Sequence, residues 1–336
     1  MAPKTTLLAL LPLLSPAIAW GTLGHTTVAL IAQSLVSNKT ASFAKSLLND
    51  TSPLYLFNIA TWADSYRYTA EGAFSSPLHY IDAFDDPPTS CNVDYKRDCP
   101  EEGCIVSAIA NYTTRIAAAN VSRAEQEKAL KWVVHFVGDI HQPLHVENLA
   151  VGGNGINVTF GGVVKNLHSV WDSSIAEKLV GGYTVDYARN WSTALVGEIE
   201  GGKYANVSRF WAEGMDVTDP VASAMVWARD SNAKVCTTVL PDGQAGVEGK
   251  ELSGAYYENA APVVEAQVAK AGFRLAKWLD RIVQSAGKGY TTKEVKEEWV
   301  KRGGVQLEDW MVEARRKRRE CGWECGCAEG VEGHVH

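Results

Sequence analysis

Six of the eight histidines, at positions 25, 79, 135, 141, 145 and 168, fall in the first half of the chain, among aspartates. His135 and Asp139 stand four residues apart in an apolar, turn-free run from Leu130 to Asp139, so a helix places imidazole and carboxylate on one face. His168 and Asp172 repeat that spacing, and Asp64 precedes His79 by fifteen residues. Pro143 disfavours helical geometry at Gln142, so the first helix should break there and His145 belongs to the next segment. A lone buried histidine is more often a packed core residue than a ligand. Burying two His/Asp pairs in apolar segments, however, is costly unless each charge has a partner, and a divalent metal serves all of them at once. Nitrogen and carboxylate ligands favour zinc. No His-Glu-x-x-His string occurs, which removes the main support for a zinc metalloprotease.

The N-terminus adds a further donor. Lys4, an apolar stretch from Thr5 to Pro16 and the small-x-small Ala17-Ile18-Ala19 match a secretory signal peptide over residues 1–19. Cleavage would leave Trp20 first, with an α-amine and a carbonyl able to bind zinc beside His25.

These residues lie in ordered blocks: Trp20-Gly21-x-x-Gly24-His25, Trp62-Ala63-Asp64, His79-Tyr80-Ile81-Asp82, His135-x-x-x-Asp139-x-His141-Gln142-Pro143-Leu144-His145 and Asn166-Leu167-His168-x-x-Trp171-Asp172. Over about residues 20 to 285 the chain resembles the fungal zinc-dependent single-strand-specific nucleases of the S-one/P-one type. That family has plant endonuclease relatives and a distant kinship to bacterial zinc-dependent phospholipase C. The resemblance implies three zinc ions. One takes Asp64, His79, His135 and Asp139; a second takes His145, His168 and Asp172; a third takes the amine and carbonyl of Trp20, His25 and Asp139, which bridges. His141 is left outside this set, since two residues beyond Asp139 it turns about 200° away on a helix, which suits packing or support of the ligands.

Clustered zinc ions suit phosphodiester hydrolysis, because a hydroxide between them is a nucleophile near neutral pH and the metals stabilise both attacking and leaving oxygens. Arg67, three residues after Asp64, stands where the family carries a cation near the scissile phosphate; a solvated surface salt bridge is the plainer alternative. The resemblance also points to Tyr80, Asp82 and Asn154 for the base, with Gly152 and Gly153 allowing close backbone approach. An aromatic ring can sandwich an unstacked base while an aspartate and an amide hydrogen-bond its edge, which requires a base outside a duplex. Taken singly, Tyr80 reads equally as core and Gly152-Gly153-Asn154-Gly155 as an ordinary turn. The implied activity is endonucleolytic cleavage of single-stranded DNA and RNA to 5′-phosphates, with 3′-nucleotidase activity on mononucleotides. A phospholipase C-like phosphodiesterase is the alternative, and a metal-binding protein without catalysis a third reading.

With 46% hydrophobic and 21% charged residues and a formal net charge of -7, the chain reads as a soluble globular protein that does not grip nucleic acid by a broad basic surface. Beyond the signal peptide nothing is long and apolar enough to span a membrane, a secreted product is expected, and no obligate protein partner is implied. Seven cysteines suit that compartment. By resemblance Cys91 pairs with Cys236 and Cys99 with Cys104, although sequence alone leaves the other pairings of these four open. Seven Asn-x-Ser/Thr sequons occur, at Asn38, Asn49, Asn111, Asn120, Asn157, Asn190 and Asn206, with Asn111, Asn157, Asn190 and Asn206 taken as the glycosylated ones.

Apolar spacing predicts helices over Thr26 to Leu35, Ile105 to Ala119, Ala124 to Gly138, His168 to Leu179 and Ala261 to Ser285, and one hairpin around Gly155 to Val164. The expected fold is therefore mainly α, a single helical domain over 20–285 of the zinc-dependent phospholipase C and single-strand nuclease type, with a short β-hairpin. Residues 286–336 form a charged tail, with the basic cluster Arg315 to Arg319, Cys321, Cys325 and Cys327, read as solvated, processed or nucleic-acid-touching.

Overall fold

The structure, a computed structural model, describes residues 20–286. The predicted signal peptide and, apart from Ala286, the predicted tail lie outside the described residues.

The principal helices are α1 (Thr22–Leu35), α2 (Asn38–Leu48), α3 (Trp62–Tyr66), α4 (Ile105–Arg115), α5 (Arg123–Asp139), α6 (Val185–Glu200), α7 (Pro220–Lys234) and α8 (Ala255–Ser285). Every residue of α1 from Leu23 to Ala32 is buried, because α8 and α6 cover it on two sides. A helix with no polar face must lie inside, and α1 carries His25 into that interior. Helix α5 starts on Ser122, whose hydroxyl accepts from the Glu125 N–H. It ends at Asp139, and Gln142 is extended (φ -84°, ψ 119°) before Pro143, where the sequence places the break.

Several boundaries differ from the sequence expectation, and α1 begins at Thr22 rather than Thr26. Helix α4 stops at Arg115 rather than Ala119, because Ile116 is drawn into the core and the chain reverses to pair α4 with α5. Helix α8 begins six residues before Ala261 and carries Pro262 inside it, tertiary packing overriding the cost of the missing N–H. The segment expected as one helix over His168 to Leu179 is α-helical at Leu167–Ser169 and Ile175–Val180, with a π-helical turn over Val170–Ser174 between them. That extra width sits at Asp172, and such turns gather at functional sites.

Among the described residues there is one sheet, the antiparallel pair β1 (Asn157–Phe160) and β2 (Val163–Asn166), with Asn157 opposite Asn166 and Phe160 opposite Val163. Gly161 and Gly162, at φ 62° and 77°, make the two-residue turn that a hairpin's twist favours. The Glu251 carboxylate accepts from both of their N–H groups at 2.9 Å. Disulfides join Cys91 to Cys236 and Cys99 to Cys104. Of the expected glycosylation positions, Asn157, Asn190 and Asn206 are exposed and Asn111 is half-buried. No helix of the described residues is long and apolar enough to cross a membrane.

Candidate metal centre

Six separate elements carry the His/Asp set to one place. Helix α1 supplies His25, α3 supplies Asp64, and the 3-10 helix Ala73–His79 ends on His79. Helix α5 supplies His135 and Asp139 one turn apart, the 3-10 turn Pro143–Val146 supplies His145, and the α/π segment supplies His168 and Asp172. All are buried.

Three groups of potential ligands result: His25, His135 and Asp139; Asp64, His79 and His135; and His145, His168 and Asp172. Asp139 lies at the centre, with Oδ1 3.1 Å from His25 Nε2 and Oδ2 2.9 Å from His79 Nδ1 and 3.2 Å from His135 Nε2. Asp64 Oδ1 is 3.5 Å from His135 Nε2, and Asp172 Oδ2 is 3.2 Å from His168 Nε2. The rings of His25 and His135 stack with centroids 3.9 Å apart. Trp20 is fully buried, and the neighbouring Gly21 N–H donates to the Asp172 carbonyl at 2.7 Å, so the start of the described chain lies against the third group.

Backbone carbonyls set the rings. His135 Nδ1–H donates to Ala60 at 2.7 Å, His145 Nδ1–H to His79 at 2.8 Å and His168 Nδ1–H to Gly152 at 2.6 Å. A carbonyl only accepts, so each contact places a proton on Nδ1 and turns Nε2 toward the carboxylates. Both oxygens of Asp64, Oδ1 of Asp139, Oδ2 of Asp172 and Nε2 of His135 are buried without a well-formed hydrogen bond. Lone pairs converging in a dry site are stabilised by a cation, and this nitrogen and oxygen donor set fits zinc.

The protonation equilibria express the same crowding. Burial alone would lower His135, but the Asp139 and Asp64 carboxylates outweigh it and push the imidazole up to about 10. Burial lowers His79 to about 4 against the opposing pull of Asp139, and raises Asp172 to about 7 against His168. Burial would raise Asp139 too, yet His135 and His25 hold it well below the usual carboxylate range. An incoming divalent ion would replace the protons held here.

His141 is buried between the end of α5 and the break at Gln142, outside all three groups. Its Nδ1–H donates to Val137 at 2.7 Å and its Nε2 accepts from Arg274 at 2.9 Å, while Arg274 pairs with Asp230. Arg67 is buried rather than solvated; its guanidinium lies 3.7 Å from Asp64 Oδ1 and donates to the Tyr68 hydroxyl at 3.1 Å.

Tyr80 and Asp82 lie on an extended segment beside the His145 strand of chain: Ile81 N–H donates to the His145 carbonyl at 2.9 Å and Asn148 N–H to Ala83 at 3.3 Å. Asp82 and Asn154 are buried and Tyr80 is half-buried. Asn154 follows a left-handed turn in which Ala150 (φ 46°, ψ 46°), Val151 (φ 60°, ψ 49°), Gly152 and Gly153 all have positive φ. A β-branched residue there is a true outlier. The turn aims the Gly152 carbonyl at His168 and the Val151 carbonyl at the Asn154 amide, which donates to it at 2.9 Å, leaving Asn154 Oδ1 as a buried acceptor without a hydrogen bond.

Several supporting groups escape a reading by residue type. The Ala60, His79 and Gly152 carbonyls leave no mark in a sequence, and Gln142, noted there only as a helix break, touches Asp172 through its side chain. Gly138 carried a faint signal, as a glycine in the last turn of α5 between two ligands. A Cβ there would lie 2.8 Å from His25 Nδ1, so only glycine lets α1 bring that ring against α5.

Comparison with known proteins gives the same direction. Residues 20–284 match the family model described as S1/P1 Nuclease. The chain is 52% identical over 263 residues to Nuclease S1 of Aspergillus oryzae, covering 78% of this chain and 91% of that one. It is 48% identical over 263 residues to Nuclease P1 of Penicillium citrinum, covering 78% and 97%. Endonuclease 2 of Arabidopsis thaliana is 34% identical over 278 residues, covering 78% and 90%. The chain belongs to the S1/P1 nuclease family.

Proposed function

We propose that this protein is a secreted, zinc-dependent endonuclease that hydrolyses single-stranded DNA and RNA to 5′-phosphate products and removes 3′-phosphates from mononucleotides. The observation that carries it is the convergence of three buried His/Asp groups around Asp139 in a chain of this family. Asp64, His79, His135 and Asp139 would hold one zinc ion, His145, His168 and Asp172 a second, and His25, Asp139 and the terminal amine and carbonyl of Trp20 a third. Zinc supplies a nucleophile near neutral pH and stabilises charge on the attacking and leaving oxygens.

The chain's own groups do the rest. Arg67, already desolvated beside Asp64, neutralises charge developing on the phosphate oxygens, where a guanidinium out of water acts strongly. The wall of Trp132, Phe136 and Tyr112 around His79 excludes water from the ligands. Tyr80 stacks on a base, and Asp82 and Asn154 Oδ1 accept from its edge; a paired base cannot enter, so single strands are preferred. In this reading residues 1–19 are removed on secretion, 20–285 form the catalytic domain, and 286–336 are dispensable for cleavage.

A phospholipase C-like esterase would share the ligands but would have no task for Asp82 and Asn154. Hydrolysis of a single-stranded oligonucleotide, the matching duplex and phosphatidylcholine decides between the two. Rapid cleavage of the single strand with 5′-phosphate ends supports the proposal, and turnover of the lipid alone overturns it.

A further inference from the structure

The buried end of α5 offers a residue whose chemistry the centre has not yet used. Gln142 has no exposed surface. Its side-chain amide is gripped at both ends: Oε1 accepts from the Leu144 N–H at 2.5 Å, and Nε2 donates to Asp172 Oδ1 at 2.6 Å. The backbone N–H of Leu144 must face an acceptor, so the amide cannot flip, and its donor is fixed on the carboxylate. Asp172 Oδ2, by contrast, is buried without a hydrogen bond and faces His168 Nε2 at 3.2 Å. Gln142 thus anchors Asp172 Oδ1, which also lies 3.8 Å from His145 Nε2, while Oδ2 has no hydrogen bond.

We propose that Gln142 is a positioning residue for the ion held by His145, His168 and Asp172: it fixes the orientation of the Asp172 carboxylate and ties it to the turn carrying His145. This rests on the zinc reading above. The tie is short, since the Gln142 carbonyl also accepts from the His145 N–H at 3.0 Å. One residue thus fixes a carboxylate through its side chain and a histidine through its backbone. The extended backbone at Gln142, imposed by Pro143, lets the side chain turn back onto Leu144 and forward onto Asp172 together. Glutamate would have nearly the same shape, but would set a second carboxylate against Asp172 where the amide now donates. Leucine would keep the bulk and lose both bonds. Neither could be read as conservative here, because partners that support a metal ligand commonly govern affinity by about 10- to 100-fold.

The test compares the secreted wild-type protein with Gln142→Leu and Gln142→Glu, using metal content, stepwise release to a chelator, and the visible spectrum after cobalt exchange. The expected result is that one ion of three is released about 10- to 100-fold faster in both variants. The other two should be held as in the wild type, with one set of cobalt bands altered. A merely structural role would weaken all three ions together or lower thermal stability with the release order unchanged, and either outcome overturns the assignment. So would wild-type release from both variants. If a variant fails to fold, Gln142→Asn, which keeps the amide but shortens its reach, must show the same selective loss of one ion. A wild-type protein without zinc would instead refute the reading of the centre itself.

Discussion

Replacing Gly138 by alanine sets two effects against each other. In most helices this change adds about 0.5–1 kcal/mol of stability, since glycine costs more backbone entropy. Here the new methyl would lie 2.8 Å from Nδ1 and 3.0 Å from Cε1 of His25, against 3.4 Å for ordinary contact. The methyl is fixed to the helix, so the imidazole must retreat by about 0.6 Å. It has little room to do so, being buried and stacked on His135 at 3.9 Å. A displacement of about 1 Å near reacting groups can cost about 100-fold, so a shift of this size should lower kcat/KM by about 10- to 100-fold. The assay is kcat/KM on a single-stranded oligonucleotide beside zinc content and thermal unfolding of the metal-free protein. The metal-free variant should melt earlier than the wild type, because overpacking a buried site costs about 1–3 kcal/mol and outweighs the backbone gain, and the ion held by His25 should be bound more weakly. Full zinc content with unchanged kcat/KM would show instead that the clash is absorbed without moving a ligand.

Other substitutions separate the roles. Asp139→Asn should reduce zinc from three ions to one, leaving the His145, His168 and Asp172 group loaded; two ions by mass spectrometry would sink the bridging assignment. Arg67→Ala should lower kcat by about 100- to 1,000-fold with zinc content intact, as removal of a transition-state donor does; a change confined to KM would mark Arg67 as a binding residue. His141 is kept neutral by burial and by Arg274, so its folded pKa lies well below the ordinary value. The unfolded chain takes up this proton first, so stability should fall as pH drops below about 6.5, by about 2 kcal/mol down to pH 5. In His141→Asn that part of the pH slope should vanish, and an unaltered slope in urea unfolding would show that His141 is not its source.

What could be read from the sequence was whatever depends on short spacing. His135 with Asp139 and His168 with Asp172 share a face because four residues make about one turn, and Pro143 announces the break that sends His145 along another path. The paired glycines of the hairpin are equally local. The ring of supports around those ligands was not legible, since it depends on groups brought together by folding. The Gly152 carbonyl reaches His168 only because Ala150 and Val151 adopt left-handed backbone that their side chains disfavour. The π-turn at Asp172 and the early start of α8 before Pro262 likewise reflect tertiary packing overriding local preference. Nor does spacing show that Asp139, rather than Asp64, stands between His25, His79 and His135.

Native mass spectrometry of the protein purified from culture medium would count the zinc ions and show whether a terminal tryptophan completes the centre. The expected species is a polypeptide beginning at Trp20 that carries three zinc ions and loses its nuclease activity when they are stripped. A chain that is fully active with one zinc ion or none would contradict a three-zinc centre.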